Sequence, residues 1–260
     1  MTRHTLQGRS EDEVLWFRRR NVLQAAAAWT AGGGFAAAQA QASSNVVQRT
    51  GDVLVNGQPL QAQQQIQTGD RVQTGPGSNL VFVIGNASFQ VRQNSNIQPE
   101  RGPSLNAVSL LRLVTGGVAA VWGKGLSRMI VTPTITAGIR GTGVYLEVRP
   151  SGRSYLCNCY GTVDVGTDTD RVVSVSDYHQ SFWGEVAPVN GRTITPAEPI
   201  NHSDEEIEFL ARLINQPTGW ETMGRKGARD GTGTVYGAPA GSSVNAPTPA
   251  PTAPPPAQPR

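Results

Sequence analysis

Residues 79–91 read Asn79-Leu80-Val81-Phe82-Val83-Ile84-Gly85-Asn86-Ala87-Ser88-Phe89-Gln90-Val91. Two apolar runs, Asn79 to Ile84 and Ala87 to Val91, flank Gly85-Asn86, a dipeptide suited to a two-residue hairpin turn. The stretch predicts a pair of antiparallel strands. The same punctuation recurs outward from it, between residues 46 and 183. Val46 to Val55 ends at Asn56-Gly57. Later pieces are Leu110 to Trp122, with Gly116-Gly117 inside it, then Ser127 to Val131, Gly143 to Arg149, Arg153 to Val165 and Arg171 to Val175. No fragment in this span has the length and 3.6-residue period of a core helix, so about eight to eleven strands fit. Their spacing predicts an all-β sandwich, roll or β-solenoid.

Composition agrees. Thirty Gly and 18 Pro among 260 residues, with only 16% charged, favour many turns joining short strands over a helical bundle. The formal net charge is +3, but residues 1–20 hold five Arg against three acids, leaving 17 basic and 16 acidic residues elsewhere. A sequence pI near 9.1 is therefore no signal for nucleic acid.

Both ends differ from this body. Arg18-Arg19-Arg20-Asn21-Val22-Leu23-Gln24 precedes an uncharged stretch rich in Ala and Gly that closes on Ala38-Gln39-Ala40 and Ala40-Gln41-Ala42. Those three regions read as a signal peptide over residues 1–42, cleaved after Ala40 or Ala42. Arg19-Arg20 resembles the twin-arginine signal for exporting folded proteins, which places the mature chain in a bacterial periplasm. The alternative is an uncleaved membrane anchor, weakly driven because Val22, Leu23, Trp29 and Phe35 are the only strongly apolar residues in it. Membrane contact would then run through this segment alone. Residues 239–260 carry eight Pro and little that is apolar. They read as a disordered tail, either solvated or offering polyproline to a partner. Without both ends about 196 residues remain, enough for one compact domain or two small ones and too few for a large multidomain enzyme.

A β domain over 43–183 would leave 184–238 as an extension with one helix over 204–215. Ser203-Asp204-Glu205-Glu206 has the pattern of a capping box and puts acids at the positive helix end. Ile207, Leu210, Ala211 and Ile214 then form one apolar stripe before Pro217 and Gly219 stop it. The stripe predicts packing against the β body.

Three further strings carry a family likeness. They are Val131-Thr132-Pro133, Ile139-Arg140-Gly141-Thr142-Gly143-Val144-Tyr145 and Tyr160-Gly161-Thr162-Val163-Asp164-Val165. With Gly51-Asp52-Val53, Thr68 to Gly75 and Ser78 to Phe82, they resemble the FecR domain family over about residues 46–180. The resemblance implies a twisted β-solenoid or roll and a periplasmic sensor or regulatory module with a periplasmic or outer-membrane partner. Only about 17 residues precede the arginine cluster, too few for the sigma-binding domain of a signalling member. Within the likeness, Arg140-Gly141-Thr142 reads as a turn whose glycine permits close backbone approach, a structural corner and not an anion site.

Cys157 and Cys159 are the only cysteines. On a strand they share a face with Tyr155. Two extended residues set their Cα atoms about 6.6 Å apart, near the upper limit for a disulfide. A strained disulfide, two buried thiols and a pair of metal ligands all remain open. The signal segment removes His4, leaving His179 and His202 as further ligands. If Val163–Val165 and Arg171–Val173 form a hairpin with a three-residue loop, Cys159 falls opposite His179 on one face, whereas a four-residue loop turns His179 to the other. His202, just before the capped helix, can return over that sheet. The chain lacks a Gly-x-Ser-x-Gly elbow, a His-Glu-x-x-His pair and a phosphate loop. The expectation is a non-enzymatic exported domain recognising a periplasmic ligand or protein. The alternative is a protein binding a transition metal or haem through the Cys157/Cys159 pair with His179 or His202.

Overall fold

The computed structural model describes residues 44–103, 107–125 and 127–223, and the backbone of 228–229 and 235–236. The expected signal segment, with Arg19 and Arg20, and the expected tail over 239–260 lie outside the described residues.

Alternating apolar and polar residues between Gly-rich turns give fourteen strands of one large sheet. In chain order these are β1 (Val46–Thr50), β2 (Val53–Val55), β3 (Gln58–Pro59), β4 (Val72–Thr74), β5 (Asn79–Ile84), β6 (Ala87–Val91) and β7 (Asn96–Arg101). Then follow β8 (Val108–Trp122), β9 (Arg128–Val131), β10 (Thr136–Val148), β11 (Ser154–Gly166), β12 (Arg171–Ser176), β13 (Gln180–Val189) and β14 (Arg192–Ala197). Two helices follow, α1 (Asp204–Leu213) and α2 (Gly219–Met223). The fold is all-β with short C-terminal helices. The hairpin that opened the reading is present, with Ile84 opposite Ala87 and Leu80 opposite Val91.

The sheet runs β14-β13-β11-β10-β9-β8-β7-β4-β2-β3, and long strands are shared between neighbours. β8 pairs with β7 through its first half and with β6 through its second, while β10 divides between β9 and β8. All pairings are antiparallel except the short parallel contact of β8 with β9. One apolar cluster collects side chains from β2 through β14, among them Val72, Phe82, Phe89, Leu113, Trp122, Leu146, Leu156 and Ile194. One sheet reaches a common core from so many strands only by curling over it. The opposite face carries a second cluster of Val81, Ala119, Val121, Tyr145, Tyr155, Cys157, Cys159 and Tyr160, covered by Ile207, Leu210, Ala211 and Trp220.

Several expectations change. β8 and β10, at 15 and 13 residues, are longer than the segments Leu110 to Trp122 and Gly143 to Arg149 read from sequence. Arg140-Gly141-Thr142 is not a turn: β10 continues through it, and the register against β11 slips between Arg140 and Gly143 as a bulge with Gly141 at φ 57°. Arg140 is exposed and donates from Nε to the Ser127 hydroxyl at 3.2 Å. The β body also does not end at 183, since β13 crosses that position and β14 pairs with it. Helix α1 keeps its expected start, with Ser203 as N-cap and its amide donating to the Glu206 carboxylate at 3.1 Å. It stops at Leu213, two residues short of the expected end, and a second helix follows at Gly219 where none was read.

Candidate metal centre

Two local slips in strand pairing build the site. β12 returns along β11 from Gly166 opposite Arg171 to Gly161 opposite Ser176. The four-residue loop between them is closed by Thr167 N–H donating to Asp170 C=O at 2.9 Å. A loop of that length alone would turn His179 to the wrong face. The chain undoes the slip within Asp177-Tyr178-His179. His179 takes φ 39°, in the left-handed region that histidine visits more readily than most residues, and pairing resumes one register later at Asn158 opposite Gln180. His179 N–H donates to Cys159 C=O at 2.9 Å. The two residues face each other as expected, by way of a bulge.

On its other side β11 meets β10 with Val144 opposite Asn158 and Gly143 opposite Tyr160, so Cys159 is an extra residue. Such a bulge re-aims side chains, and both Cys159 and Tyr160 join Cys157 in the outer cluster. Gly143 is required here because a Cβ would lie 2.5 Å from Cε1 of Tyr160.

The structure brings all four candidate ligands together. One ligand atom from each of Cys157, Cys159, His179 and His202 lies within 4.8 Å of all the others. The two sulfurs are 3.9 Å apart and unbridged. Cys157 Sγ is 3.4 Å from His179 Nδ1, which is 3.0 Å from His202 Nε2. Neither cysteine has accessible surface, and the histidines are 1% and 2% exposed. Rings enclose the group: Trp220 stacks on His179 with centroids 5.2 Å apart, Tyr145 stacks on His202 at 4.9 Å, and Tyr178 meets His179 edge-on at 4.9 Å.

Hydrogen bonds behind the histidines set their protons. His202 Nδ1 is 2.7 Å from Ile200 C=O, which only accepts, so this nitrogen carries the proton. His179 Nε2 is 2.9 Å from Asp204 Oδ1, and the other oxygen of that carboxylate accepts from the Tyr178 hydroxyl at 2.9 Å. With neutral rings, both inward nitrogens present lone pairs to each other and to the sulfurs. That arrangement needs a cation or a shared proton between them.

Burial alone would raise the Cys157 thiol, but the Cys159 S–H and the two histidines outweigh it and hold it well below the usual thiol range. Burial would lower His179, yet the Cys157 thiolate and the Asp204 carboxylate together raise it. Burial, reinforced by the thiolate, pushes the Tyr155 hydroxyl up, so it stays protonated.

Asp204 is the residue sequence reading placed elsewhere, as a helix-end acid. It has no exposure and orients His179. Trp220 was also missed. It lies on α2, whose Thr218-Gly219-Trp220-Glu221 start repeats the capping pattern used for α1, with Thr218 N–H donating to Glu221 at 2.9 Å. Among the described residues no helix is long and apolar enough to cross a membrane.

No family model and no curated protein matches the chain, so the FecR likeness rests on the quoted motifs alone. Two crystal structures of a proposed anti-sigma factor from Parabacteroides distasonis, at 1.65 Å and 2.50 Å resolution, are similar in part. Identities are 11% and 12% and TM-scores 0.40 and 0.41, over 56% and 58% of this chain and 75% and 76% of those. A likeness of this degree transfers no role or partner.

Proposed function

We propose that the β domain is a non-enzymatic module that binds one divalent transition-metal ion, of the zinc class, through Cys157, Cys159, His179 and His202. The observation that carries this reading is the pair of inward-facing imidazole nitrogens. Each is left without a proton by an acceptor behind it, and the two converge with two sulfurs in a space closed to water. Three of the six ligand separations agree with such a site, and all six lie within 4.8 Å. Zinc bonds of about 2.3 Å to sulfur and 2.0–2.1 Å to nitrogen give tetrahedral edges of about 3.8 Å for S–S, 3.5 Å for S–N and 3.3 Å for N–N. The corresponding separations are 3.9, 3.4 and 3.0 Å.

Two thiolates balance a divalent charge while the imidazoles stay neutral. Four buried protein ligands match a closed structural centre and not a catalytic one, which keeps a position open for substrate. Four ligand atoms all within 4.8 Å of one another suit a single ion and leave no room for a porphyrin, so the metal reading is preferred to the haem reading. In an exported FecR-like protein, a centre of this kind would serve envelope sensing or regulation, its metal state reported to a periplasmic or outer-membrane partner.

Titration of the metal-free full chain with zinc tests the reading. We expect one equivalent bound tightly, and large losses of affinity in Cys157→Ser, Cys159→Ser and His179→Ala. No uptake, or uptake indifferent to all three substitutions, would refute it.

A further inference from the structure

Three of the four ligands belong to the β body: Cys157 and Cys159 on β11, and His179 in the bulge before β13. The fourth does not. His202 and the orienting Asp204 come from the segment after β14, which adds no strand to the large sheet. Apolar contacts divide the same way. The inner core contains no residue beyond Ile194, whereas Ile207, Leu210, Ala211 and Trp220 pack only in the outer cluster. Residues 198–223 can therefore leave the sheet without breaking a strand or opening the inner core.

The same residues lie over the ligands. Trp220 stacks on His179 and His202 on Tyr145, so this segment closes over the buried ligands. Other polar ties to the sheet lie around it, among them the Tyr155 hydroxyl donating to Glu198 C=O at 3.1 Å. Arg92 Nη2 donates to Glu206 at 2.7 Å and to Asn201 C=O at 2.8 Å, and Asn201 donates to Glu147 at 2.7 Å. Ser88 donates to Leu210 C=O at 2.7 Å, and the Tyr155 hydroxyl accepts from Ile200 N–H at 3.2 Å. The centre of the interface is the ligand cluster itself. There, loss of the ion leaves two lone pairs 3.0 Å apart unless a proton replaces it.

We infer that residues 198–223 are a cover clasped by the metal. The ion, bridging His202 to the β-body ligands, holds the cover down, and loss of the ion frees it to lift as a unit and expose the apolar face of Val81, Ala119, Val121, Tyr145 and Tyr155. This inference rests on the metal reading and adds its regulation: the metal state decides whether that face is covered. Binding that requires the closed form stabilises it by mass action, and opening is confined to the least anchored unit.

Hydrogen exchange on the full chain, zinc-loaded and chelated, with zinc content measured in parallel, tests it. At zinc about one hundred times its Kd, amides in 204–213 and 219–223 should exchange about a hundredfold more slowly than in chelated protein. Those in 53–55, 72–74 and 96–101 should not change. His202→Ala should still take up zinc, more weakly, through three ligands, while the cover no longer responds to it. Zinc uptake with an unresponsive cover, or with equal slowing in the cover and those strands, would overturn the clasp alone. A wild-type response in His202→Ala would do the same. Absence of zinc uptake would overturn the metal reading and the clasp with it.

Discussion

Asp204→Asn separates the charge behind His179 from its geometry. The amide has nearly the volume of the carboxylate and keeps an oxygen that accepts from His179 Nε2, now 2.9 Å from Oδ1. Its NH2 takes the position of the oxygen that accepts the Tyr178 hydroxyl at 2.9 Å, and that hydroxyl can turn to accept. What is lost is a fully buried negative charge that strengthens His179 as a ligand and lies at the first residue of α1. The helix-end contribution is about 0.3–1 kcal/mol, so the metal-free fold should weaken by no more than that. Loss of an outer partner of a ligating histidine costs about 10–100-fold in metal affinity, equivalent to about 1.4–2.7 kcal/mol. Competition for zinc against a chromophoric chelator gives the affinity, and urea unfolding of the metal-free protein gives the fold. Affinity within twofold of wild type would refute the role assigned to Asp204. So would a loss matched in full by destabilisation of the metal-free protein.

Gly143→Ala brings a Cβ to 2.5 Å from Tyr160 and 3.1 Å from Ile207, and should destabilise by about 1–3 kcal/mol in urea unfolding. A neutral result would show that the Tyr160 ring moves freely. Replacing Arg19 and Arg20 by Lys should stop export, because a point charge does not reproduce the guanidinium fork. Undiminished export in cells lacking the twin-arginine translocase would defeat that reading. Deleting residues 239–260 should leave stability within about 0.5 kcal/mol, and a large drop in melting temperature would show that the segment docks.

Short-range signals carried the strands well. Gly85-Asn86 marks its hairpin by local turn chemistry, and Tyr155, Cys157 and Cys159 share a face because of the two-residue period of a strand. The bulges were not legible. A loop of three or four residues between β11 and β12 differs by one position, and the compensating slip at His179 depends on the onward pairing of β13. Arg140-Gly141-Thr142 looks like a turn because its glycine permits one, yet pairing on both sides of it holds β10 extended. Asp204 shows the same limit at the site. Its helix-end position is local and was read, whereas its bond to His179 spans 25 residues and forms only when α1 folds back over the sheet. Ile200 contributes through its backbone carbonyl, to which its side-chain identity gives no clue.

X-ray absorption at the zinc edge of the loaded full chain tests the centre most directly. We expect two sulfurs at about 2.3 Å and two nitrogens at about 2.0–2.1 Å, with no further ligand, and loss of one sulfur in either Cys157→Ser or Cys159→Ser. A coordination shell of nitrogen and oxygen alone, unchanged by those substitutions, would contradict the assignment of the ion to this site.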